Sequence, residues 1–256
     1  MTDWDAGTYH RLSDPQFAWG RKLADKLAPK AGERILDLGC GTGRLTTELA
    51  AGFPDVRFVG GDMSHAMLTE ARRANPGLAW VRTDGSALPF AAAFDAVFSA
   101  ATFHWIADHA ALFRDVYAAL RPGGRLIAQC GGGPNLQRLL DRTHALMDSA
   151  EFSRFFDRWR DPWVFAGTPE TRADLAAAGF LDVDVSLEPE PTTLPDRAAY
   201  TDFISCVCVR HHVDRLPPDE RRRFIGALAD AAAGDDPPFT LDYWRLGMSA
   251  RTRGAR

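Results

Sequence analysis

Short apolar runs alternate with longer amphipathic segments between Arg34 and Gly131. The runs RILDL, VRFVG, LAWVR, FDAVFSA and GRLIAQC have the length and composition of β-strands, and the segments between them, such as HAALFRDVYAAL, have the length of helices. Strands and helices that alternate in this way form a parallel sheet with crossover helices packed against it. The pattern therefore predicts an α/β core in the first half of the chain.

The rest of the chain is predicted to supply helical cover and two further strands. An aromatic-rich segment from Asn135 to Trp163 and a second segment from Asp196 to Ala233 are predicted to be helical. TPETRADLAAAGF is predicted as a helix, and LDVDVSLEP and FTLDYWRLGMSAR as strands. We therefore expect an α/β fold with a seven-stranded, mostly parallel sheet and helices on both faces. Ser64, Asp108 and Thr168 are predicted helix N-caps, since their side-chain oxygens can accept from the first-turn amides.

We predict a single domain over residues 1–256, because this length suits one large α/β domain with insertions. Two independent domains are the less favoured alternative. The predicted parts are an N-terminal helical cover (1–30), a ligand-binding core (31–134), two helical cover insertions (135–167 and 195–235) and two segments that complete the sheet (168–194 and 236–256).

Charge, cysteine content and the lack of long apolar runs make several classes of protein less favoured, namely nucleic-acid-binding, metal-binding and membrane proteins. A net charge of −4 and a pI near 6.0 lack the basic excess of a nucleic-acid binder, so we expect a small-molecule partner and no nucleic acid. The four cysteines lack zinc-ribbon spacing, which predicts reduced thiols and no metal site. Neither a secretory leader pattern nor a long uncharged apolar run is present, so we expect a cytoplasmic protein without a membrane partner. The state is predicted to be monomer or homodimer.

The most informative stretch is RILDLGCGTGRL, in which glycines 39, 41 and 43 join the first strand to the following helix. Glycines in such a turn can adopt left-handed backbone angles and let a ligand approach the main chain. A dinucleotide fingerprint would place its third glycine at position 44, where this chain has Arg44. The loop therefore favours a ligand other than a dinucleotide, without excluding one.

Carboxylates follow the glycine loop at the ends of the predicted strands. Asp62 ends the second strand, where a carboxylate accepts hydrogen bonds from ribose hydroxyls, and Asp84 follows the third, where it can accept from an adenine amino group. Asp37 lies inside the first strand, and a buried carboxylate there needs donors from a ligand ammonium or from loop amides. These positions predict a nucleoside site at the carboxyl edge of the sheet.

Five motifs in order resemble those of the class I S-adenosylmethionine-dependent methyltransferases. ILDLGCGTG is similar to their first motif, GGDMS to the ribose-binding second and RTDGSALPF to the third, while FDAVFSAATFHWI and LRPGGRLIAQ resemble the fourth strand and the turn into the fifth. The resemblance implies that the predicted sheet is Rossmann-like and that the cofactor is S-adenosylmethionine. The core residues that we expect to contact it are Asp37, Gly39, Cys40, Gly41, Gly43, Asp62, Met63, Asp84, Gly85, Ser86, Ser99 and Ala100.

The opening segment YHRLSDPQFAWG and the segment FHWIADH further resemble a subgroup that includes the trans-aconitate and juvenile hormone acid methyltransferases. Tyr9, Gln16 and Trp105 match residues that this subgroup shares. The resemblance implies that N-terminal helices cover the cofactor, with Tyr9, Gln16 and Trp19 closing over it. It also implies a carboxylic acid as the methyl acceptor.

The nature of the acceptor decides whether a general base is needed. A carboxylate is already ionised at pH 7 and needs only donors that hold it, whereas an alcohol, phenol or amine benefits from a neutral histidine. The motifs place His104 at the mouth of the cofactor site. There it is a base, a donor to a carboxylate or a structural histidine, and these three alternatives stay open. Trp105 is predicted to form the pocket wall, and Trp163, Tyr200 and Arg210 are predicted to contact the acceptor.

Three alternatives stay open at this stage. The first is a protein of the same fold that binds the cofactor without transferring methyl, or that methylates nitrogen, carbon or a hydroxyl group of a secondary metabolite. The second is a nicotinamide-dependent dehydrogenase, which Arg44 and the absence of a Tyr-x-x-x-Lys motif disfavour. The third is a nucleic-acid methyltransferase, which the net charge and the segment SAATFHW disfavour.

Overall fold

The structure is a computed structural model that describes the backbone of residues 14–254 and the side chains of residues 17–254. The strands are β1 (Arg34–Leu38), β2 (Arg57–Asp62), β3 (Ala79–Arg82), β4 (Phe94–Ala100), β5 (Leu120–Gly131), β6 (Leu181–Pro189), β7 (Thr192–Thr193), β8 (Thr240–Leu241) and β9 (Trp244–Arg251). Seven of them form one sheet in the order β3-β2-β1-β4-β5-β9-β6, and β7 pairs with β8 separately. The pairs among β1 to β5 are parallel and β9 runs antiparallel to β5, so the predicted seven-stranded, mostly parallel sheet is confirmed.

The helices are α1 (Asp14–Leu27), α2 (Arg44–Gly52), α3 (His65–Ala74), α4 (His109–Ala119), α5 (Gln137–Met147), α6 (Thr168–Ala177), α7 (Arg197–Phe203), α8 (Arg210–Val213) and α9 (Pro218–Ala233). Single 3-10 turns lie at Phe103–Trp105 and Ser153–Phe155, and a π-helical turn lies at Ile204–Cys208. Over the residues described, none of the helices has both the length and the apolar composition needed to cross a membrane.

By its internal contacts the chain divides into two compact units. Of the described residues, the first takes in 14–133, Trp163–Glu188 and 245–254, and the second consists of Pro134–Pro162 and Pro189–Trp244. The first unit contains the strands and helices of the Rossmann-like core. The second holds most of the segments that the sequence predicts as helical cover.

Both faces of the sheet in the first unit are covered, because neighbouring residues of a strand point to opposite faces. Leu36 and Val97 belong to one buried cluster, and their neighbours Ile35 and Phe98 belong to another. Helix α4 contributes to the first cluster, and α1 contributes Leu23, Ala24 and Leu27 to the second. Strands buried on both faces read as continuous apolar runs, which explains why RILDL and FDAVFSA show no alternation.

Two of the three predicted helix caps are present. Ser64 Oγ accepts from Met67 N at 3.1 Å, and Asp108 Oδ1 accepts from Ala111 N at 2.8 Å. The prediction for Thr168 is wrong, because α6 begins at this residue and Gly167 occupies the cap position without a side-chain hydrogen bond. Proline in the first turn supplies the start signal there instead.

Two predicted elements are broken in the second unit. The predicted helical stretch from Asp196 to Ala233 is divided into α7, the π-helical turn, α8 and α9. The predicted last strand is interrupted between β8 and β9, where Asp242 Oδ2 accepts from Arg138 N at 3.0 Å and Asn135 Oδ1 accepts from Trp244 N at 2.9 Å. The Asn135 side chain thus takes the hydrogen bond of a strand amide, whereas the Asp242 side chain binds the first turn of α5.

Candidate active site

The predicted site residues of the core lie at the carboxyl ends of the parallel strands. Strand β1 is flanked by β2 on one side and β4 on the other, so the chain changes its winding direction there. Open α/β sheets bind ligands in the crevice outside the strand ends at such a switch point. Residues after β1, β2, β3 and β4 therefore share one edge, as the sequence predicts.

The glycine loop uses its three glycines for different purposes. Gly39, Gly41 and Gly43 all have positive φ, at 80°, 54° and 73°. A Cβ atom at Gly39 would overlap the Thr102 side chain, and one at Gly43 would overlap the Trp80 ring. At Gly41 a Cβ atom would meet no atom within 4 Å. Packing therefore requires two of the glycines, while the third has open space in front of it for a ligand.

Asp62 anchors the loop through both of its carboxylate oxygens. Oδ2 accepts from Gly41 N and Oδ1 from Ser64 N, both at 2.8 Å. A carboxylate oxygen can accept more than one hydrogen bond, so the same side chain can also accept from ligand hydroxyls. The next residue, Met63, is 52% exposed. An exposed methionine beside this carboxylate offers an apolar surface to a flat ring.

Asp37 lies beneath the loop, where it is 3% exposed and accepts from Thr46 Oγ1 at 2.6 Å. Burial raises the pKa of Asp37 to about 7; the Thr46 hydrogen bond lowers it and the Asp62 charge raises it. A cation bound nearby would favour the ionised form. The neighbouring Cys40 thiol also has a raised pKa, first through burial and then through the charges of these carboxylates, so it is no nucleophile at neutral pH.

The third-strand residues form a fixed turn. Asp84 Oδ1 accepts from both the backbone N and the hydroxyl of Ser86, at 2.8 and 2.7 Å. A Cβ atom at Gly85 would lie 2.6 Å from Ile106 Cδ1, so packing favours glycine there. The turn presents an exposed carboxylate at the edge of the sheet.

Ser99 and Ala100 end strand β4. The Ser99 side chain is buried, and its hydroxyl donates to Leu38 O at 2.7 Å, which ties β4 to the end of β1. Ala100 is half-buried, and its carbonyl accepts from Thr102 Oγ1 at 3.2 Å. The Ser99 hydroxyl therefore donates its hydrogen to a neighbouring strand of the sheet.

His104 sits in the 3-10 turn that follows β4. Its Nδ1 accepts a hydrogen bond from Gly131 N at 3.3 Å. Burial lowers the pKa of His104 to about 3, with a further contribution from the positive charge of Arg245. At pH 7 the ring is neutral, and because Nδ1 is the acceptor, the hydrogen is carried by Nε2. His104 therefore offers a hydrogen-bond donor through Nε2.

A buried cation lies in the same neighbourhood. Arg245, at the start of β9, is 4% exposed and pairs in register with Gly131, whose amide contacts His104. Its guanidinium carbon is 4.3 Å from the centre of the Trp19 ring. This cation–π contact positions the charge, and it places the predicted cover residue Trp19 at the carboxyl edge.

Aromatic rings line the segment beside His104. The Trp105 and Trp163 ring centres are 5.8 Å apart, and the Trp163 ring stacks on Phe165 at 5.9 Å. Phe165 lies 5.8 Å from the His104 ring. The structure thus brings together the predicted residues His104, Trp105 and Trp163 and adds Phe165 to them.

The other predicted acceptor residues belong to the second unit. Arg210 Nε is 3.5 Å from Asp214 Oδ2, which is the acidic partner expected for an inward arginine. Tyr200 is 1% exposed, and burial raises its pKa. Their contact with an acceptor stays a prediction. Tyr9 lies outside the described residues, as does the side chain of Gln16.

Four further residues belong to the site although the sequence does not predict them: Thr46, Trp80, Arg245 and Phe165. Thr46 is the third residue of α2, and its position inward beneath the strand end follows from helix geometry once the helix start is known. Trp80 fills the space left by Gly43 and also contacts the position of a Cβ at Gly60, which couples two glycines to one large side chain. Arg245 shows no local signal, because only the antiparallel pairing with β5 brings it to this edge.

Comparison with known proteins agrees with this geometry. A family model described as a methyltransferase domain matches residues 35–124. Among solved structures, the phosphoethanolamine N-methyltransferase 2 of Haemonchus contortus superposes with a TM-score of 0.62 at 18% identity, covering 97% of this chain and 56% of that one. The [4+2]-cyclase SpnF gives 0.59 at 20% identity, covering 93% and 82%. The family match thus identifies a methyltransferase domain in residues 35–124, and the solved structures share its fold.

Sequence comparison adds a narrower relationship. The chain is 31% identical over 251 residues to the trans-aconitate 2-methyltransferase of Methylobacterium radiotolerans. The aligned residues cover 93% of this chain and 92% of that relative. The chain belongs to the family that contains the trans-aconitate 2-methyltransferases. Its cofactor is S-adenosylmethionine, and the open position at Gly41, the exposed Met63 and the Asp62 carboxylate fit that molecule.

Proposed function

We propose that this methyltransferase esterifies a carboxylate group of a small polycarboxylic acid of the trans-aconitate type. The family relationship supports an acid acceptor, while the fold alone does not select one, since N-methyltransferases share it. A carboxylate oxygen of the acceptor would form a bond to the sulfonium methyl group while the methyl–sulfur bond breaks, which gives a methyl ester and neutral S-adenosylhomocysteine. No proton leaves the acceptor in this reaction.

The cofactor contacts are part of the proposal. Asp62 accepts from the ribose hydroxyls, Met63 covers the adenine, and the Asp84 turn meets the adenine edge. Gly41 lets the methionyl chain lie against open backbone, and Asp37 attracts its ammonium group. The exposed Met63, the open position at Gly41 and the buried carboxyl of Asp37 support these roles.

The observation that carries the acceptor proposal is the hydrogen bond from Gly131 N to His104 Nδ1. It leaves the neutral ring with its hydrogen on Nε2, so the ring can donate but cannot take a proton through that atom. A carboxylate needs such a donor and needs no base. An alcohol or phenol acceptor would need the opposite tautomer.

The surroundings of His104 also favour an anion. The buried guanidinium of Arg245 contributes a positive charge that is felt at the His104 ring. The half-buried rings of Trp105, Trp163 and Phe165 lie beside His104, and apolar surroundings strengthen charge interactions. A neutral donor, a buried cation and apolar walls together suit a carboxylate.

We test the donor role with His104→Gln and His104→Ala. Glutamine keeps an N–H donor but is no base, so we expect it to retain most of kcat, whereas alanine raises the KM for the acid roughly tenfold through the lost hydrogen bond to a charged group. The matched control is His65→Gln, at an exposed histidine of α3. Loss of all turnover in His104→Gln with a folded protein would instead indicate a base.

An acceptor panel identifies the substrate class. S-adenosylhomocysteine formation is measured with trans-aconitate, other tricarboxylic acids, monocarboxylic acids, a phenol and a primary amine, and the product is examined for a methyl ester by NMR. We expect turnover with the polycarboxylic acids only. Efficient transfer to the phenol or amine would reject the acid-acceptor proposal and leave the methyltransferase class intact.

A cytoplasmic location and a monomeric or homodimeric state complete the proposal. None of the four cysteines forms a disulfide, which agrees with a reducing compartment. A small polar acid and the cofactor are both compatible with a cytoplasmic location.

A further inference from the structure

Three side chains of the second unit converge on one point although they come from separate segments. His144 lies on α5, Asp161 follows the turn at Ser153–Phe155, and His212 lies on α8. His144 Nε2 is 2.9 Å from Asp161 Oδ2, and His212 Nε2 is 3.4 Å from Asp161 Oδ1. All three ligand atoms lie within 4.8 Å of one another. We call these three residues the His-Asp-His cluster.

The donor set is one that zinc takes in proteins. Zinc binds imidazole nitrogen and carboxylate oxygen at about 2.0–2.2 Å, so neighbouring ligand atoms of a tetrahedral site are about 3.3–3.6 Å apart. The two histidine nitrogens lie 2.9 and 3.4 Å from different oxygens of Asp161, so the spacing in the cluster is close to that of such a site. Small side-chain rotations would let the three atoms surround one ion.

A second layer of contacts holds the cluster in place. Trp159 Nε1 donates to Asp161 Oδ1 at 2.9 Å, and the Trp159 ring lies 4.6 Å from the His212 ring. Trp159 therefore fixes the orientation of the Asp161 carboxylate and packs against the ring of His212.

Exposure gives the cluster an open side. His212 is fully buried, whereas the His144 side chain is 43% exposed. An ion can enter past His144, and a water molecule can take the fourth position there. Three protein ligands and one open position form a complete tetrahedral set.

We propose that the His-Asp-His cluster binds one divalent transition-metal ion of the zinc class. His144 Nε2, the Asp161 carboxylate and His212 Nε2 are its protein ligands. The ion links α5, the loop after the 3-10 turn and α8, and so stabilises the second unit without a part in methyl transfer. Cysteine spacing gives no hint of the site, because its ligands are two histidines and an aspartate that lie far apart in sequence.

The experiment uses the full untagged chain after removal of metals with a chelator. Zinc binding is measured by titration calorimetry, and cobalt is used in parallel because its visible spectrum distinguishes nitrogen and oxygen ligands from thiolates. Asp161→Asn and His144→Gln remove ligands, and Trp159→Phe removes a supporting hydrogen bond. The matched control, His211→Gln, changes the residue beside His212 on the same helix.

We expect one zinc ion per chain, a rise in Tm on adding zinc, and a cobalt spectrum without thiolate bands. Affinity should fall at least a hundredfold in Asp161→Asn and His144→Gln, and about tenfold in Trp159→Phe, while His211→Gln binds as the unchanged chain does. Circular dichroism of each metal-free variant checks that it is folded.

Two results would overturn the proposal. One is the lack of any one-to-one zinc binding by the unchanged chain, which would leave an ion pair between Asp161 and its histidines. The other is binding that survives Asp161→Asn but is lost in the double variant Cys206→Ser and Cys208→Ser, which would assign the metal to the thiols.

Discussion

The Asp37 carboxyl connects burial to cofactor affinity at the scale of a single residue. Its pKa is raised to about 7, mainly by burial, so near neutral pH part of the population is protonated and carries no charge. The proposed partner is the ammonium group of the cofactor, which binds best to the ionised carboxylate. Protonation of Asp37 and binding of the ammonium group therefore oppose each other.

We expect the affinity for S-adenosylhomocysteine to fall roughly eightfold between pH 7.5 and pH 6.0, because binding then has to remove a proton from Asp37. Calorimetry at several pH values measures this. Asp37→Asn should bind more weakly at pH 7.5 and show no such dependence. An unchanged affinity across this range in the unmodified chain would contradict the ammonium contact.

Asp62 offers a second test at the same scale. Asp62→Ala removes two acceptor oxygens and also the anchor of Gly41 N, so cofactor affinity should drop by about 1–3 kcal/mol. Calorimetry with S-adenosylhomocysteine measures the loss. Asp55→Ala, at an exposed carboxylate, is the control and should bind normally. If both variants bind equally well, Asp62 does not contact the ribose.

At the scale of single residues, the sequence predicts the acidic residues of the site better than it predicts the residues around them. Asp37 and Asp62 are recognisable because strand ends and glycine loops are local patterns. Thr46 depends on the rotation of α2, and Arg245 depends on pairing between β5 and β9, which are far apart in sequence. Long-range pairing leaves no trace in a short window, so the cation beside His104 was not predicted.

The glycine loop gives a prediction at the scale of a structural element. Gly41→Ala places its Cβ in open space, so the cost to stability should be about 1 kcal/mol for the left-handed backbone, while cofactor affinity falls because the ligand loses its approach. Gly43→Ala drives a Cβ into the Trp80 ring and should destabilise the fold by about 2–4 kcal/mol. Urea unfolding and calorimetry separate the two effects.

Equal stability losses at the two positions would show that backbone strain alone governs the loop. Gly52→Ala is a useful reference, because a Cβ there meets nothing within 4 Å and Gly52 is not among the residues of positive φ. It should leave both stability and affinity close to those of the unmodified chain.

Elements of the core are more predictable than those of the second unit. The predicted strands and caps of the core follow from apolar runs and from Ser64 and Asp108, which act within a few residues. The breaks at the π-helical turn and between β8 and β9 depend on contacts such as that of Asn135 with Trp244. Such contacts override local propensity, and only the folded chain shows them.

Two groups at the carboxyl edge of the sheet, Asp37 and His104, have opposite effects on the stability of the whole molecule as pH changes. The pKa of Asp37 in the folded chain lies above the ordinary value of 3.8, so the folded state gains a proton first as pH falls, and stability rises. The pKa of His104 lies below the ordinary value of 6.5, so the unfolded state gains a proton first, and stability falls. Between pH 6.5 and pH 5.0 each effect amounts to about 1.5–2 kcal/mol, and the two nearly cancel.

In the unmodified, ligand-free chain the two effects offset each other, so its unfolding free energy should change little between these pH values. In a single variant one effect is removed, and we therefore expect the unfolding free energy to depend on pH. From pH 6.5 to pH 5.0, Asp37→Asn should lose about 1.5 kcal/mol of unfolding free energy relative to the unmodified chain, and His104→Gln should gain a similar amount. Urea unfolding at both pH values measures this, with His65→Gln as the exposed control. The remaining groups titrate in all the proteins compared and so drop out of the differences. Parallel slopes in all four proteins would mean that Asp37 and His104 keep ordinary pKa values, and both the ammonium contact and the neutral His104 donor would then lose their electrostatic basis.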